Sequence, residues 1–182
     1  TCAEEFDSLV ERKRSSHWKK FKSVWREIHS KNARRDHIRE LTAPCAPGEK
    51  EVYLVRHGHA RAVDPPDIAA DTDRPLSSRG KKRTRLVARG LSRLGSTPAL
   101  VCSSPRERAK QTAGLLAKTL TPGNPPRSIP VLDIDADPHE CVEWILKRKE
   151  SALMLAGHMP HLCAVSRLLC GTALDFKKSS VC

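Results

Sequence analysis

Two arginines and two histidines stand in matching local settings along this 182-residue chain. Arg56 and His57 close the apolar run 52–55, Arg108 falls in the first turn of the helix predicted after the run 99–102, and His158 follows the run 152–156. Short, uninterrupted apolar runs rich in β-branched residues suit strands buried on both faces. If these strands are parallel, their C-terminal ends share one edge of the sheet, where open α/β folds bind ligands. The side chains then converge there, together with the N-termini of helices predicted to begin at Pro105 and Pro160. Such an edge suits a phosphoryl group. Guanidinium forks match its oxygens, and helix N-termini favour anions. A neutral imidazole nitrogen can take the group as a phosphoimidazole that water then hydrolyses. Arg56, Arg108 and a protonated His158 could neutralise the charge without metal. That scheme needs the attacking imidazole neutral and prefers the other charged. Gly58 permits a sharp turn after His57 and leaves space for a ligand beside the imidazole.

The intervening chain has to position these groups. The run 61–78 is polar, holds Pro65, Pro66 and Pro75, and reads as a loop. Val87, Leu91 and Leu94 mark a helix over 79–94, stopped by Gly95. Ser104, Pro105 and Glu107 predict a capped helix start, with Ser104 as the cap, Pro105 first in the helix and Glu107 closing a capping box. A weaker strand is expected at Val131-Leu132, and Asp137-Pro138 opens another helix. A last helix follows Pro160 and ends at Gly171. Strand–helix alternation predicts a largely parallel sheet with helices on both faces.

Composition sets the frame. Hydrophobic content of 38% supports one medium domain, and aromatic content of 4% leaves Leu, Val, Ala and Ile to fill its core. A net charge of +12 favours anionic partners. The seven cysteines form no CxxC pair, so no zinc site is expected. Cys102, Cys141 and Cys163 read as small buried hydrophobes, and reduced thiols in the cytoplasm are expected. No run reaches the ~18 residues of a membrane span. Residues 1–43 read as a basic amphipathic helical extension: 11–39 hold eleven Lys/Arg against three Asp/Glu, with Trp18, Phe21 and Trp25 at helical spacing. Residues 44–50 form a linker before a domain over 51–182. The start at Thr1 suggests a fragment or a processed product.

Leu54-Val55-Arg56-His57-Gly58, the run Ser103-Ser104-Pro105-Arg106-Glu107-Arg108-Ala109 continuing to Ala113, and Ala156-Gly157-His158-Met159-Pro160 resemble the three motifs of the histidine phosphatase superfamily, a phosphoglycerate mutase-like group. Asp73-Arg74-Pro75-Leu76-Ser77-Ser78-Arg79-Gly80 resembles the intervening segment of its small SixA-type phosphohistidine phosphatases. The likeness runs from about residue 51 to the end. It implies a three-layer α/β/α sandwich with a mostly parallel central sheet. It also implies His57 as nucleophile, Arg56 and Arg108 as phosphate ligands, and His158 completing the pocket. Arg108, not Arg106, holds the motif position, and Arg106 then reads as exposed at the cap. Arg74 matches a position that adds a phosphate contact in small members; a surface role is the alternative. Larger relatives place an acid after the mid-chain strand. Residues 133–140 give no clear match, which leaves Asp71 and Asp73 as candidate general acids. His59 and His161 read as exposed and outside the chemistry. A further edge strand is expected after the region 176–182, where the chain stops.

The expected activity is a metal-independent phosphatase with a phosphohistidine intermediate on His57, acting on protein phosphohistidine. Two alternatives stand beside it: a phosphatase for small phosphate esters or polyphosphate, and a non-catalytic phosphate-binding adaptor. The intact set Arg56, His57, Arg108 and His158 argues against the adaptor. No cofactor is expected. Expected partners are a phosphoprotein or small phosphate substrate, with polyanion contact through the basic N-terminal helix.

Overall fold

The computed structural model describes residues 49–63, 67–68 and 70–182. The basic helix expected over 1–43 and most of the linker lie outside them. The described chain forms a sheet of β1 (Glu51–Arg56), β2 (Leu100–Ser103), β3 (Arg127–Ser128) and β4 (Ala152–Gly157). The strands are parallel, in the order β1-β4-β2-β3. Parallel neighbours need crossovers. Here they run through α1 (Ser78–Arg93), α2 (Glu107–Leu120) and α3 (Pro138–Leu146), and α4 (His161–Cys170) follows β4.

The two-residue alternation of each strand sorts the core into two layers. Val55, Val101, Met154 and Ala156 pack with Ala88 of α1 and Ala113, Leu116 and Ala117 of α2. Leu54, Leu100, Cys102, Leu153 and Leu155 pack with Cys141 and Ile145 of α3 and Leu162 and Val165 of α4. All six residues of β4 are buried, because it lies between two strands and two helical layers. This is the expected three-layer sandwich.

Local details differ from expectation. The third strand is Arg127–Ser128, not Val131-Leu132. Those two residues lie in a 3-10 turn, Pro130–Leu132, that buries Leu132 in the core. Helix α2 begins at Glu107, with Arg106 as N-cap and no side-chain cap, so the expected capping box is not formed. Asp137 does cap α3, its carboxylate accepting from His139 N at 2.8 Å. Cys163 is only half-buried, whereas Cys102 and Cys141 are buried. The edge of β1 is already partly covered. Cys182 exchanges backbone bonds with Leu54 (2.8 and 3.0 Å), and Val181 opposes Val55 in antiparallel sense. No helix among the described residues is long and apolar enough to cross a membrane.

Helix α1 is set against the loop after β1 by one glycine. A Cβ on Gly80 would lie 2.1 Å from the His59 carbonyl oxygen, a backbone atom with no room to retreat. Gly80→Ala is therefore expected to cost about 3 kcal/mol, the upper part of the usual overpacking range. Chemical denaturation of the two proteins checks this, and equal midpoints would refute it.

Candidate active site

The parallel register builds the site. Arg56 is level with Gly157 and Ser103 with Ala156, so His57, His158 and Ser104 leave three adjacent strands side by side. Their backbones stay in the ladder, His57 N donating to Gly157 O (3.0 Å) and Ser104 N to Ala156 O (2.9 Å). The two imidazole rings lie 5.0 Å apart between centroids, tilted by 50°. One tetrahedral oxyanion can touch both at that spacing.

His57 Nδ1 lies 2.7 Å from the Gly58 carbonyl oxygen. A carbonyl only accepts, so this contact places the proton on Nδ1 and leaves the Nε2 lone pair free. Burial, reinforced by Arg108, Arg56 and Lys178, lowers the His57 pKa to about 4. His158 Nε2 pairs with the Ser104 hydroxyl at 2.8 Å. Burial, with the nearby His57, Arg108 and Arg106, lowers the His158 pKa to about 3. Burial thus favours the neutral form of both rings, against the charged His158 expected from sequence. A phosphoryl dianion beside them would pull protons back.

Both shifts lie below the 6.5 of an unperturbed imidazole. From pH 6.5 down to the folded values, the unfolded chain binds more protons than the folded one. The stability these rings lend is therefore complete above pH 6.5 and is lost as pH falls toward 4 and 3. For His57 alone the loss is on the order of 3 kcal/mol at 1.36 kcal/mol per unit. Melting temperatures measured from pH 7 to pH 4 are expected to fall, and to fall less in His158→Gln.

Arg56 Nη1 donates to the Phe176 carbonyl at 2.5 Å. Arg108, 5% exposed, donates from Nη1 to the Asp71 carbonyl (2.6 Å) and from Nη2 to Asp71 Oδ2 (2.9 Å). Two nitrogens of the cluster, Arg56 Nε and His158 Nδ1, are buried without a hydrogen-bond partner. Orphaned polar atoms of this kind are costly and suit a ligand that completes them.

Asp71 stands in a role the sequence did not indicate. Its carboxylate pairs with Arg74 (2.7 Å), Arg106 (3.0 Å) and Arg108 (2.9 Å). The pairings with Arg74 and then Arg108 lower its pKa to about 2 despite an opposing effect of burial. A general acid needs the opposite shift. The Asp71 carboxylate instead lies as an internal anion against Arg74, Arg106 and Arg108. Asp71→Asn is accordingly expected to lower KM for an aryl phosphate about twofold to fivefold with kcat held, the scale of one exposed ion pair. Steady-state kinetics at constant ionic strength checks this, and a hundredfold loss of kcat would restore the acid assignment. Asp73 stays exposed and accepts from Thr72 Oγ1 at 3.1 Å.

Other expectations are corrected. Arg106 is not exposed; its side chain is 12% accessible and bridges Asp71, Asp133 (2.6 Å) and Asp135 (2.8 Å). Arg74 spends Nε on the Arg61 carbonyl (2.6 Å) as well as holding Asp71. Gly58 is required by packing rather than by ligand space: a Cβ there would meet Thr84 Oγ1 at 2.9 Å and Leu76 Cδ2 at 3.0 Å. His161 is buried at 3% exposure, whereas His59 is exposed and pairs with Ser77 Oγ at 2.8 Å. Sequence reasoning missed Ser104, although it shares with His57 and His158 the position one residue beyond a strand. It also missed Lys178, which no local signal connects to His57. Among the described residues no group of three or more His, Cys, Asp or Glu could hold a metal ion.

A parallel α/β/α sandwich with paired histidines and arginines at its strand ends defines a phosphate-handling enzyme class. The comparisons with known proteins give the family. The pattern of the histidine phosphatase superfamily (branch 1) matches residues 52–133. An uncharacterised protein of Picosynechococcus sp. is 36% identical over 139 residues, covering 72% of this chain and 82% of that one. The structure of the protein histidine phosphatase SixA complexed with tungstate matches with a TM-score of 0.65 at 27% identity, over 71% of this chain and 84% of that one. A protein designated phosphohistidine phosphatase SixA from Agrobacterium tumefaciens matches with a TM-score of 0.65 at 24% identity, over 73% and 89%. The chain belongs to the histidine phosphatase superfamily, and it is a phosphatase.

Proposed function

We propose that this phosphatase removes phosphoryl groups from protein phosphohistidine without a metal, through a phosphohistidine intermediate on His57. His57 Nε2 attacks phosphorus, a new N–P bond forms, and the N–P bond of the substrate breaks. The departing imidazole takes a proton from solvent or from the site, so no strong general acid is required. Water then attacks the phosphoimidazole, releasing phosphate and restoring neutral His57. Arg56 and Arg108 bind the phosphoryl oxygens as charge moves between them, and His158 completes the pocket. The observation that carries this reading is the 2.7 Å contact of His57 Nδ1 with the Gly58 carbonyl, which leaves Nε2 as the free ring nitrogen, while burial favours the neutral ring. Support for the substrate class comes from the 27% identity with a protein histidine phosphatase solved with tungstate, itself a tetrahedral oxyanion.

The test is to incubate the full chain with a phosphohistidine peptide and with an aryl phosphate, with and without chelator. Alkaline quenching preserves the phosphoenzyme for mass spectrometry. The expected result is turnover of both substrates, indifference to chelator, and phosphate on His57. Loss of activity with chelator would refute the metal-free scheme. Hydrolysis of the ester alone would transfer the assignment to small phosphate esters.

A further inference from the structure

Helix α1 carries Arg79, Lys81, Lys82, Arg83, Arg85, Arg89 and Arg93 and no acidic residue. All seven are exposed, and among the described residues none takes part in an ion pair. The buried face holds Gly80, Thr84 and Ala88, so Lys82, Arg85, Arg89 and Arg93 form a stripe on the outer face. This pattern opposes helix stability. Lys81 and Arg85, Arg85 and Arg89, and Arg89 and Arg93 are like charges at i,i+4, which repel. Arg79, Lys81 and Lys82 sit in the first turns, where the helix dipole disfavours cations. An anion laid along the stripe would relieve both effects. The charge is also one-sided: α3, in the opposite layer, carries Glu140 and Glu143 and no Lys or Arg.

The N-terminus of α1 is fixed to the loop that follows the candidate nucleophile. Ser77, the α1 N-cap, bonds His59, and Gly80 packs on the His59 carbonyl. Between α1 and α2 lies a groove of ≈ 280 Å³ lined by Lys81, Arg85, Gln111, Gly114 and Leu115. Its wall is tied to the site, since Gln111 Oε1 accepts from Leu76 N at 2.8 Å and Leu76 abuts Gly58. Its floor is open, because nothing lies within 4 Å of a Cβ built on Gly114.

We infer that α1 and this groove dock an acidic segment of the protein substrate, delivering a phosphorylated side chain to His57. The inference rests on the proposed phosphohistidine activity and adds the charge of the sequence around the target. From Lys82 to Arg93 the stripe is about 16 Å long at 1.5 Å per residue, which about five extended residues can follow.

Two synthetic peptides carry one phosphohistidine each, flanked by glutamates in one and glutamines in the other. With the full chain at low ionic strength, kcat/KM for the glutamate peptide is expected to be about tenfold higher, the advantage shrinking with salt. In K82E/R85E/R89E/R93E the ratio falls to about one or inverts, while aryl phosphate hydrolysis is unchanged. The milder R85Q/R89Q lowers the ratio part of the way, and R85K/R89K/R93K preserves it. Equal rates on both peptides with the unaltered chain would overturn the inference, as would a ratio that survives the fourfold reversal. If only the aryl phosphate is hydrolysed, fluorescence anisotropy with the unphosphorylated glutamate peptide decides. Binding that the reversal abolishes keeps the docking surface and removes the phosphohistidine substrate; no binding removes the surface. Stripe-dependent binding of single-stranded RNA tighter than that of the glutamate peptide would replace the acidic protein with nucleic acid.

Discussion

His57→Ala is expected to lower turnover by about four orders of magnitude or more and to leave no phosphoenzyme, the size of effect that follows removal of a covalent nucleophile. No neighbouring group can take its place. His158 lies 5.0 Å away between ring centroids, but its Nε2 is engaged by Ser104 at 2.8 Å and its Nδ1 is buried. Lys178 affects His57 only through its charge, and the arginines are too basic to attack. His57 is also buried, so a loss of activity must be separated from a loss of fold. Removing its ring also removes its share of the acid sensitivity. The variant should therefore melt like the parent, or somewhat below it, at pH 7, and lose less stability on acidification. Phosphoenzyme trapped from the folded variant, or more than one part in a hundred of parental turnover, would eliminate His57 as the nucleophile.

The central strands were legible because burial on both faces leaves an unbroken apolar run. Val52 to Val55 and Ala152 to Ala156 carry that mark, and both runs became strands. With parallel direction inferred from the alternating helices, the convergence of His57 and His158 followed from their place one residue past each strand. β3 was illegible for the converse reason: Arg127 and Ser128 are both exposed at the sheet's edge and have no apolar signature. Ser104 was misread because two demands compete for one hydroxyl. A serine before proline looks like a cap, yet here its oxygen accepts from Arg106 N at 3.2 Å and pairs with His158. Arg106 and Asp71 were hidden for a topological reason. Their partners come from the turns Asp71–Asp73 and Pro130–Leu132 and the chain after them, which only the closed fold brings together.

That ion network bears on catalysis through shared carboxylates. Arg106 is saturated by three acids, so it fixes the turns and leaves little charge for a ligand. Among the described residues, Arg108 has only Asp71 as an acidic partner. The two arginines are two residues apart, but one is spent on structure and the other can be recruited. In the proposed mechanism, phosphate binding is an exchange in which a dianion replaces one carboxylate on Arg108, while Asp71 keeps Arg74 and Arg106.

Arg108→Ala is expected to reduce kcat/KM by about a thousandfold, the scale of losing a preorganised, charge-assisted donor in a water-poor site. At 5% exposure its charge is weakly screened. Arg108→Lys keeps the charge without the planar fork and should recover about tenfold of the loss. Arg108→Ala also raises the His57 pKa, because Arg108 is one of the charges depressing it. The acid limb of the kcat/KM profile therefore shifts toward neutral pH in Arg108→Ala and stays in place in Arg108→Lys. Asp71→Asn adds a second axis. If Asp71 acts by competing for Arg108, its replacement lowers KM in the parent and changes nothing further in Arg108→Ala. The double-mutant cycle then shows a coupling equal to the whole Asp71 effect. Additive effects would mean that Asp71 contacts the substrate independently, and an Arg108→Ala enzyme within tenfold of the parent would exclude this guanidinium from phosphate binding.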